Sequence, residues 1–184
     1  MFNHKGTNII ETIRLILRRF EMEDARDMFY NWGSDSEVCK FLPWGPYRKI
    51  EAVESCIRYW INNYNRDNYY NWAIYLKKQE AVVGTISVEV FNEKGRSCEI
   101  GYCLGSKYWN YGIMTEALRA VIHYMLCDIG CEKVIARHDI LNVASGRVME
   151  KAGMKFKKKI PSSMRKDGTY SEVAIYEKRL EIDS

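Results

Sequence analysis

Glu89 and Glu99 flank the turn Asn92-Glu93-Lys94-Gly95-Arg96. Their type and spacing offer acid–base chemistry. If strands 82–91 and 97–104 pair symmetrically about Lys94, then Val90 faces Cys98, Val88 faces Ile100 and Ile86 faces Tyr102. That register matches apolar with apolar on one face. The other face pairs Glu89 with Glu99 and Ser87 with Gly101. Two carboxylates directly opposite cannot both carry charge cheaply, which suits one of them to general-base work near neutral pH. The plain alternative is two glutamates on a solvated sheet face.

A second kind of chemistry is written into residues 98–118, CEIGYCLGSKYWNYGIMTEAL. A strand ends near Leu104, a loop holding Gly105 and Gly112 follows, and a helix begins. The first N–H groups of a helix have no intrahelical partner, and the helix dipole adds partial positive charge there. Such a junction accepts an anion, pyrophosphate especially, and Gly112 would let a phosphate approach the backbone closely. It is equally an ordinary strand-to-helix turn. No GxGxxG and no GK[ST] occurs, so neither a dinucleotide fingerprint nor a Walker loop is present. Further on, Asn142 reads as a helix N-cap and Ser145 as a serine one turn along.

The elements that must position these residues follow from periodicity. Residues 11–19 alternate Ile13, Leu15 and Leu17 with Arg14, Ile16 and Arg18, a strand pattern. Ala25, Met28, Phe29 and Trp32 recur at helical spacing, and Pro43 and Pro46 hold 43–47 in a loop rich in aromatics. Val53, Ile57, Trp60, Ile61 and Tyr64 predict a helix over 50–66. Strands are expected at 72–77, 81–91 and 97–104, then a helix over 113–129 stopped by Gly130. A strand at 132–138, a short helix from Asn142 to Gly153, and strands at 154–160 and 169–180 around Lys166-Asp167-Gly168 complete the order. A meander followed by helix crossovers implies an α/β class, an α+β mixed sheet of about seven mostly antiparallel, twisted strands with helices on both faces. Residues 1–10 read as a flexible arm and 11–184 as one domain.

Composition bounds the function. The chain has 184 residues, 47% hydrophobic and 28% charged, with 12 Gly and 3 Pro, which excludes fibrous and disordered classes. A net charge of +4 without a basic patch does not indicate nucleic acid as a partner. No apolar run approaches a membrane span, and the N-terminus carries charges inside its apolar stretch, unlike a signal peptide. Six scattered Cys without a CxxC pair read as reduced thiols, so a cytoplasmic location is expected. His4, His123 and His138 lie far apart, which argues against a metal site. Trp44, Tyr47, Trp72 and Tyr75 are candidates for an acceptor pocket or for the core. The lysines at 155, 157, 158 and 159 are a solvated strand or a grip for an acidic partner.

Taken together, Trp109-Asn110-Tyr111-Gly112-Ile113-Met114, followed by Thr115-Glu116-Ala117, resemble the coenzyme A pyrophosphate signature of the GNAT acetyltransferase superfamily. The segment NVASGRVMEKAGMKF (142–156) is similar to a second family region, with Met154 where Phe is usual. TIRLILRRFEMEDARDMF and EVCKFLPW resemble the branch holding ribosomal-protein N-terminal acetyltransferases. The likeness spans roughly 11–180. Trp109 departs from the usual Gln or Arg, Asn110 from a frequent Gly, and Met114 from Gly or Ala.

The resemblance implies a GNAT-like fold and transfer of an acetyl group from acetyl-CoA to a primary amine, by direct attack in a ternary complex. The acceptor would be a protein N-terminus, or a small amine such as an amino acid, a polyamine or an antibiotic. The alternative from another class is a non-catalytic acyl-CoA-binding module. By resemblance the cosubstrate meets Cys103, Leu104, Trp109, Asn110, Tyr111, Gly112, Ile113, Met114, Thr115, Asn142 and Ser145. Leu104 would offer a backbone N–H to the acetyl carbonyl, Asn142 would lie near the pantetheine arm, and Ser145 would donate to the leaving thiolate. Glu99, with Glu89 second, is the base or holds a relaying water, and Tyr102 and Tyr176 are further hydroxyls. No metal, nucleic acid or membrane is implied, and the chain is expected as monomer or homodimer.

Overall fold

The computed structural model describes residues 2–164 and 170–180, with side chains to 162 and from 170. The predicted Lys166-Asp167-Gly168 turn lies outside the described residues. One mixed sheet holds eight strands in the order β1-β2-β3-β4-β5-β6-β8-β7. They are β1 (Ile10–Glu11), β2 (Leu15–Arg18), β3 (Asn71–Leu76), β4 (Ala81–Asn92), β5 (Ser97–Leu104), β6 (Lys133–Asp139), β7 (Lys155–Met164) and β8 (Tyr170–Arg179). Among the described residues, only β5 and β6 run parallel. The helices are α1 (Asp24–Met28), α2 (Ser36–Cys39), α3 (Ile50–Asn63), α4 (Ile113–His123) and α5 (Val143–Lys151). Single π-helical turns extend α1 over Phe29–Gly33 and α4 over Tyr124–Asp128.

The two faces of the sheet bury separate clusters. Leu118, Val121 and Met125 of α4 and its extension, with Met149 of α5, pack on Leu15, Leu17, Trp72, Ile74, Ile100 and Val134. Ala25 and Met28 of α1, Trp32 of its extension, and Val53 and Ile57 of α3 cover Ala73, Val82 and Cys103 on the opposite face. Spacings of three and four in those helices put the apolar residues on one stripe, which the sheet covers.

Two local expectations change, and one helix was not anticipated. The strand expected over 11–19 breaks at Thr12 and Ile13, and Ile13 is 94% exposed while Leu15 and Leu17 are buried. A turn between β1 and β2 takes the first apolar residue out of the alternation. The short α2 carries too few apolar positions to show a period; Asp35 caps it by accepting from Glu37 N–H at 2.9 Å. Residues 2–10, read as a loose arm, are pinned. Phe2 is buried, Gly6 N–H donates to Asp67 O at 2.7 Å, and the Trp72 indole donates to Asn8 O at 2.7 Å. These bonds come from segments more than sixty residues away, which no local pattern reveals.

The lysines of β7 are exposed on an edge strand, and Lys157 lies 3.0 Å from Glu177 of β8. Charged side chains there discourage pairing with a further strand.

Candidate active site

The sheet opens in its middle. β5 and β6 pair from Ser97↔Lys133 to Ile100↔Ala136 and no further, although β5 runs on to Leu104 and β6 to Asp139. On its other edge β5 stays paired with β4 to Gly84↔Leu104. Gly105 N–H donates across to Val83 O at 2.9 Å. Backbone groups alternate sides along a strand, so Tyr102 and Leu104 turn their N–H and C=O into the gap that β6 has left. The Trp109 indole, donating to Leu104 O at 2.8 Å, approaches from that side.

The strand-to-helix junction continues from the mouth of this gap. A 3-10 turn, Ser106–Tyr108, leads to Trp109. Asn110 at φ 65° and Gly112 at φ 73° are both left-handed. Glycine takes that conformation freely and Asn tolerates it, so the pair replaces the glycines a phosphate loop would use. Glu116 N–H bonds to Gly112 O at 3.1 Å, so the amides of Ile113, Met114 and Thr115 precede the first intrahelical bond of α4. The side chains of these three are buried in the domain. Met114 therefore adds bulk to the core, and what the junction presents is backbone N–H groups at the positive end of the helix dipole, an arrangement able to take an anion. Trp109, Asn110 and Tyr111 are exposed around it.

This junction is held by a clamp that local sequence patterns do not show. Arg14, just before β2, donates from Nη1 to Tyr111 O at 2.7 Å and from Nε to Glu116 at 2.6 Å. Glu116 also accepts from Arg14 N–H at 2.9 Å and from the Thr12 hydroxyl at 2.6 Å. Burial by itself would raise the Glu116 carboxyl; the Thr12 and Arg14 bonds outweigh it and hold the group below the ordinary glutamate value. A folded value below the unfolded one gives stability that is present at neutral pH and lost as pH falls through the folded value. Glu116→Gln is therefore expected to flatten the loss of stability below about pH 4, read as denaturation midpoints from pH 7 down to pH 3. Equal slopes in the two proteins would contradict the clamp.

On the α1/α3 face lies a groove of about 1420 Å³. Glu89, Glu99, Gly101, Tyr102 and Cys103 line its floor beside Arg137 and Asp139 of β6, and Trp44, Tyr47, Tyr59 and Trp60 line one wall. Of the aromatics proposed for an acceptor pocket, Trp44 and Tyr47 are here. Trp72 is instead fully buried on the α4 face, and Tyr75 lies under the Arg18 guanidinium, 5.5 Å from its ring centre.

The predicted opposition of Glu89 and Glu99 is not found. The expected register holds from Ile86↔Tyr102 to Val88↔Ile100, then shifts at a bulge, so that Val90 pairs with Glu99 and Phe91 with Cys98. Glu89 is the extra residue. Its carboxylate accepts from the Ser87 hydroxyl and folds over Gly101, where a Cβ would stand 3.0 Å from Oε1. Glu99 is instead engaged by the Arg137 guanidinium. Arg137 was missed because its partner depends on the parallel β5–β6 register, which sequence does not reveal; the pairing puts Ile135 beside Glu99 and Arg137 two residues on, on the same face.

Asn142 caps α5, accepting Ser145 N–H at 3.2 Å. Ser145 meets Tyr102: the phenol oxygen lies 2.9 Å from Ser145 Oγ and 3.1 Å from Ser145 O. Tyr102 thus lines the groove and also reaches α5 beside the gap. Tyr176 turns away, donating to Glu150 at 3.0 Å. Burial pushes the Cys103 thiol up to about 12, which leaves little thiolate for nucleophilic work at neutral pH. His123 contacts Cys127 Sγ at 3.6 Å, and His138 stacks near Tyr176 with Nδ1 2.8 Å from Asp139 O. Among the described residues no cluster of three or more metal-ligating side chains occurs, and no helix is long and apolar enough to cross a membrane.

A parallel strand pair that opens onto a helix N-terminus, beside a carboxylate-lined groove, is the arrangement the sequence likeness anticipates. Comparison with known families decides the point: the acetyltransferase (GNAT) domain family matches residues 14–155. The chain belongs to the GNAT acetyltransferase family. YnaD of Bacillus subtilis (strain 168), named an uncharacterized N-acetyltransferase, is 32% identical over 157 residues, 83% of this chain and 88% of that protein. A GNAT-family acetyltransferase from Bacillus anthracis superposes with a TM-score of 0.81 at 25% identity, covering 94% of this chain and 98% of that one. RimL, a ribosomal L7/L12 α-N-protein acetyltransferase solved with coenzyme A, shares the fold at a TM-score of 0.83 and 18% identity, over 96% of this chain and all (100%) of that one. As a GNAT acetyltransferase the chain uses acetyl-CoA as its donor.

Proposed function

We propose that this acetyltransferase moves the acetyl group of acetyl-CoA to the α-amine of a peptide or protein N-terminus. The size of the groove carries the acceptor assignment. About 1420 Å³ exceeds the roughly 300–1000 Å³ of a small-molecule pocket, and an extended chain end would fill it. Glu89 on its floor, held by the neutral Ser87 hydroxyl, offers an approaching ammonium a carboxylate, and Glu99 offers a second that it shares with Arg137. The likeness of the N-terminal third to the ribosomal-protein branch supports the same acceptor.

In this reading the backbone amides of residues 110–115 take the pyrophosphate, and the pantetheine arm enters the gap between β5 and β6, past Asn142. Leu104 N–H, turned into that gap, meets the carbonyl oxygen as negative charge develops on it. Glu99, fixed by Arg137, receives the proton of the incoming ammonium directly or through one water. The amine nitrogen attacks the acetyl carbon, the C–N bond forms, the nitrogen sheds its second proton to water in the groove, the C–S bond breaks, and the electron pair leaves on sulfur. The Ser145 hydroxyl donates to that thiolate. Cys103 forms no acyl intermediate.

The acceptor is tested by following coenzyme A thiol release with peptides of varied first residue, set against free amino acids, polyamines and aminoglycosides. Peptides are expected to exceed every small amine by tenfold or more in kcat/KM. A small amine that outruns all peptides would replace the acceptor while leaving acetyl transfer intact.

A further inference from the structure

The Tyr102 phenol carries one proton and meets two atoms of the same residue, Ser145 O at 3.1 Å and Ser145 Oγ at 2.9 Å. With one proton each, the two hydroxyls have two satisfied arrangements. In the first, Tyr102 donates to Ser145 O and the Ser145 hydroxyl donates to Tyr102. In the second, Tyr102 donates to Ser145 Oγ, and the Ser145 proton is free to point elsewhere. The Tyr102–Ser145 Oγ contact survives the exchange with donor and acceptor reversed, so no heavy atom has to move.

We propose that Tyr102 is the positioning residue of the leaving-group site, a switchable hydrogen-bond partner that releases the Ser145 hydroxyl toward sulfur as the thioester breaks. The inference rests on the reading of Ser145 as donor to the thiolate. Before attack, the Ser145 proton is parked on Tyr102. As the C–S bond breaks and charge collects on sulfur, the Ser145 O–H turns to it, and Tyr102 turns its own O–H to Ser145 Oγ. Both are changes of hydrogen-bond acceptor. The ammonium gives its first proton to Glu99 before attack and the nitrogen sheds its second to groove water as the amide forms, so coenzyme A leaves as a thiolate accepting from Ser145 and the balance needs only water beside the two substrates. Burial pushes the Tyr102 phenol well above its ordinary value, the Ser145 bond only partly opposing this, so the group keeps its proton at working pH. The position also fits: Tyr102 lies on the stretch of β5 that β6 has left, while Ser145 N–H is fixed by the Asn142 cap, so the serine cannot drift from the phenol.

Tyr102→Phe keeps the ring and removes only the hydroxyl. It is expected to lower kcat roughly tenfold, with KM for acetyl-CoA unchanged within a factor of two, as for loss of a supporting hydrogen bond. The decisive readout is the cycle with Ser145→Ala. If Tyr102 acts through Ser145, the double variant is no slower than Ser145→Ala alone. An equal further loss in the double variant would overturn the inference and leave the Ser145 assignment standing. Ser145→Ala at the wild-type rate would overturn both. A rise in KM with kcat unchanged in Tyr102→Phe would assign the hydroxyl to coenzyme binding instead.

Discussion

Glu99→Gln is expected to lower kcat by about two orders of magnitude, at the low end of what a positioned general base contributes. The dissociation constant for acetyl-CoA should stay within about twofold. The amide keeps the shape of the side chain but loses the charge that attracts an ammonium and the basicity that accepts its proton. In the proposed reading the coenzyme meets the α4 amides and the gap edge of β5, away from the Glu99 carboxylate. Glu89→Gln is the internal comparison. Its side chain is exposed on the bulge and held by the neutral Ser87 hydroxyl, so its loss should cost severalfold at most. Steady-state kinetics beside a binding isotherm separate the two. If Glu89→Gln proves the slower variant, the bulge carboxylate is the base and Glu99 serves to orient Arg137.

Gly105→Ala is expected to cause the largest loss of stability among single methyl additions in this part of the chain. Gly105 has φ −54° and ψ 138°, a conformation any residue adopts, so the glycine is not there for its backbone freedom. It is there for space: a Cβ would overlap the Asn31 carbonyl oxygen and press the Tyr108 ring at 3.1 Å. Asn31 is itself fixed, buried in the π-helical turn after α1 and donating to Val82 O at 2.8 Å. Neither backbone segment can yield alone. Overpacking of this kind costs about 3 kcal/mol. For a chain of this size that is a fall of roughly 10 °C in Tm, taking about 2–4 °C per kcal/mol. A thermal melt measures it, and a shift under about 2 °C would show that the α1 extension is free to move. Coenzyme affinity should fall as well, because Gly105 links Leu104 to the junction that, in the proposed reading, holds the phosphates.

The sequence carried most elements and the faces of α1, α3 and α4 well, because apolar spacing survives as long as the element is amphipathic. Strand 97–104 and the α4 stripe fall where periodicity put them. At the 109–115 junction Gly112 and the helix start were legible; the left-handed turn at Asn110 was not, and Met114, one of the departures from the family pattern, is buried. What was hidden depended on contacts between distant segments. The β4 bulge displaces Glu89 from Glu99 by one residue, and a symmetric turn gives no sign of it. The Arg14–Glu116 clamp joins residues a hundred positions apart, and the Arg137–Glu99 pair requires the parallel register. The Tyr102–Ser145 contact requires the docking of α5 against the open edge of β5. The Arg137–Glu99 and Tyr102–Ser145 contacts lie beside the place where the sheet opens, where local rules give way to contacts between distant segments.

The central claim is that the backbone junction at 110–115 holds the pyrophosphate of acetyl-CoA. The most direct measurement is a calorimetric titration of acetyl-CoA, with 3′-dephospho-CoA and pantetheine as companions. The account predicts micromolar binding of acetyl-CoA, near-equal binding of 3′-dephospho-CoA, and a loss of a hundredfold or more for pantetheine, which lacks the pyrophosphate. Pantetheine binding as tightly as acetyl-CoA, or no acetyl-CoA binding up to millimolar concentration, would contradict it.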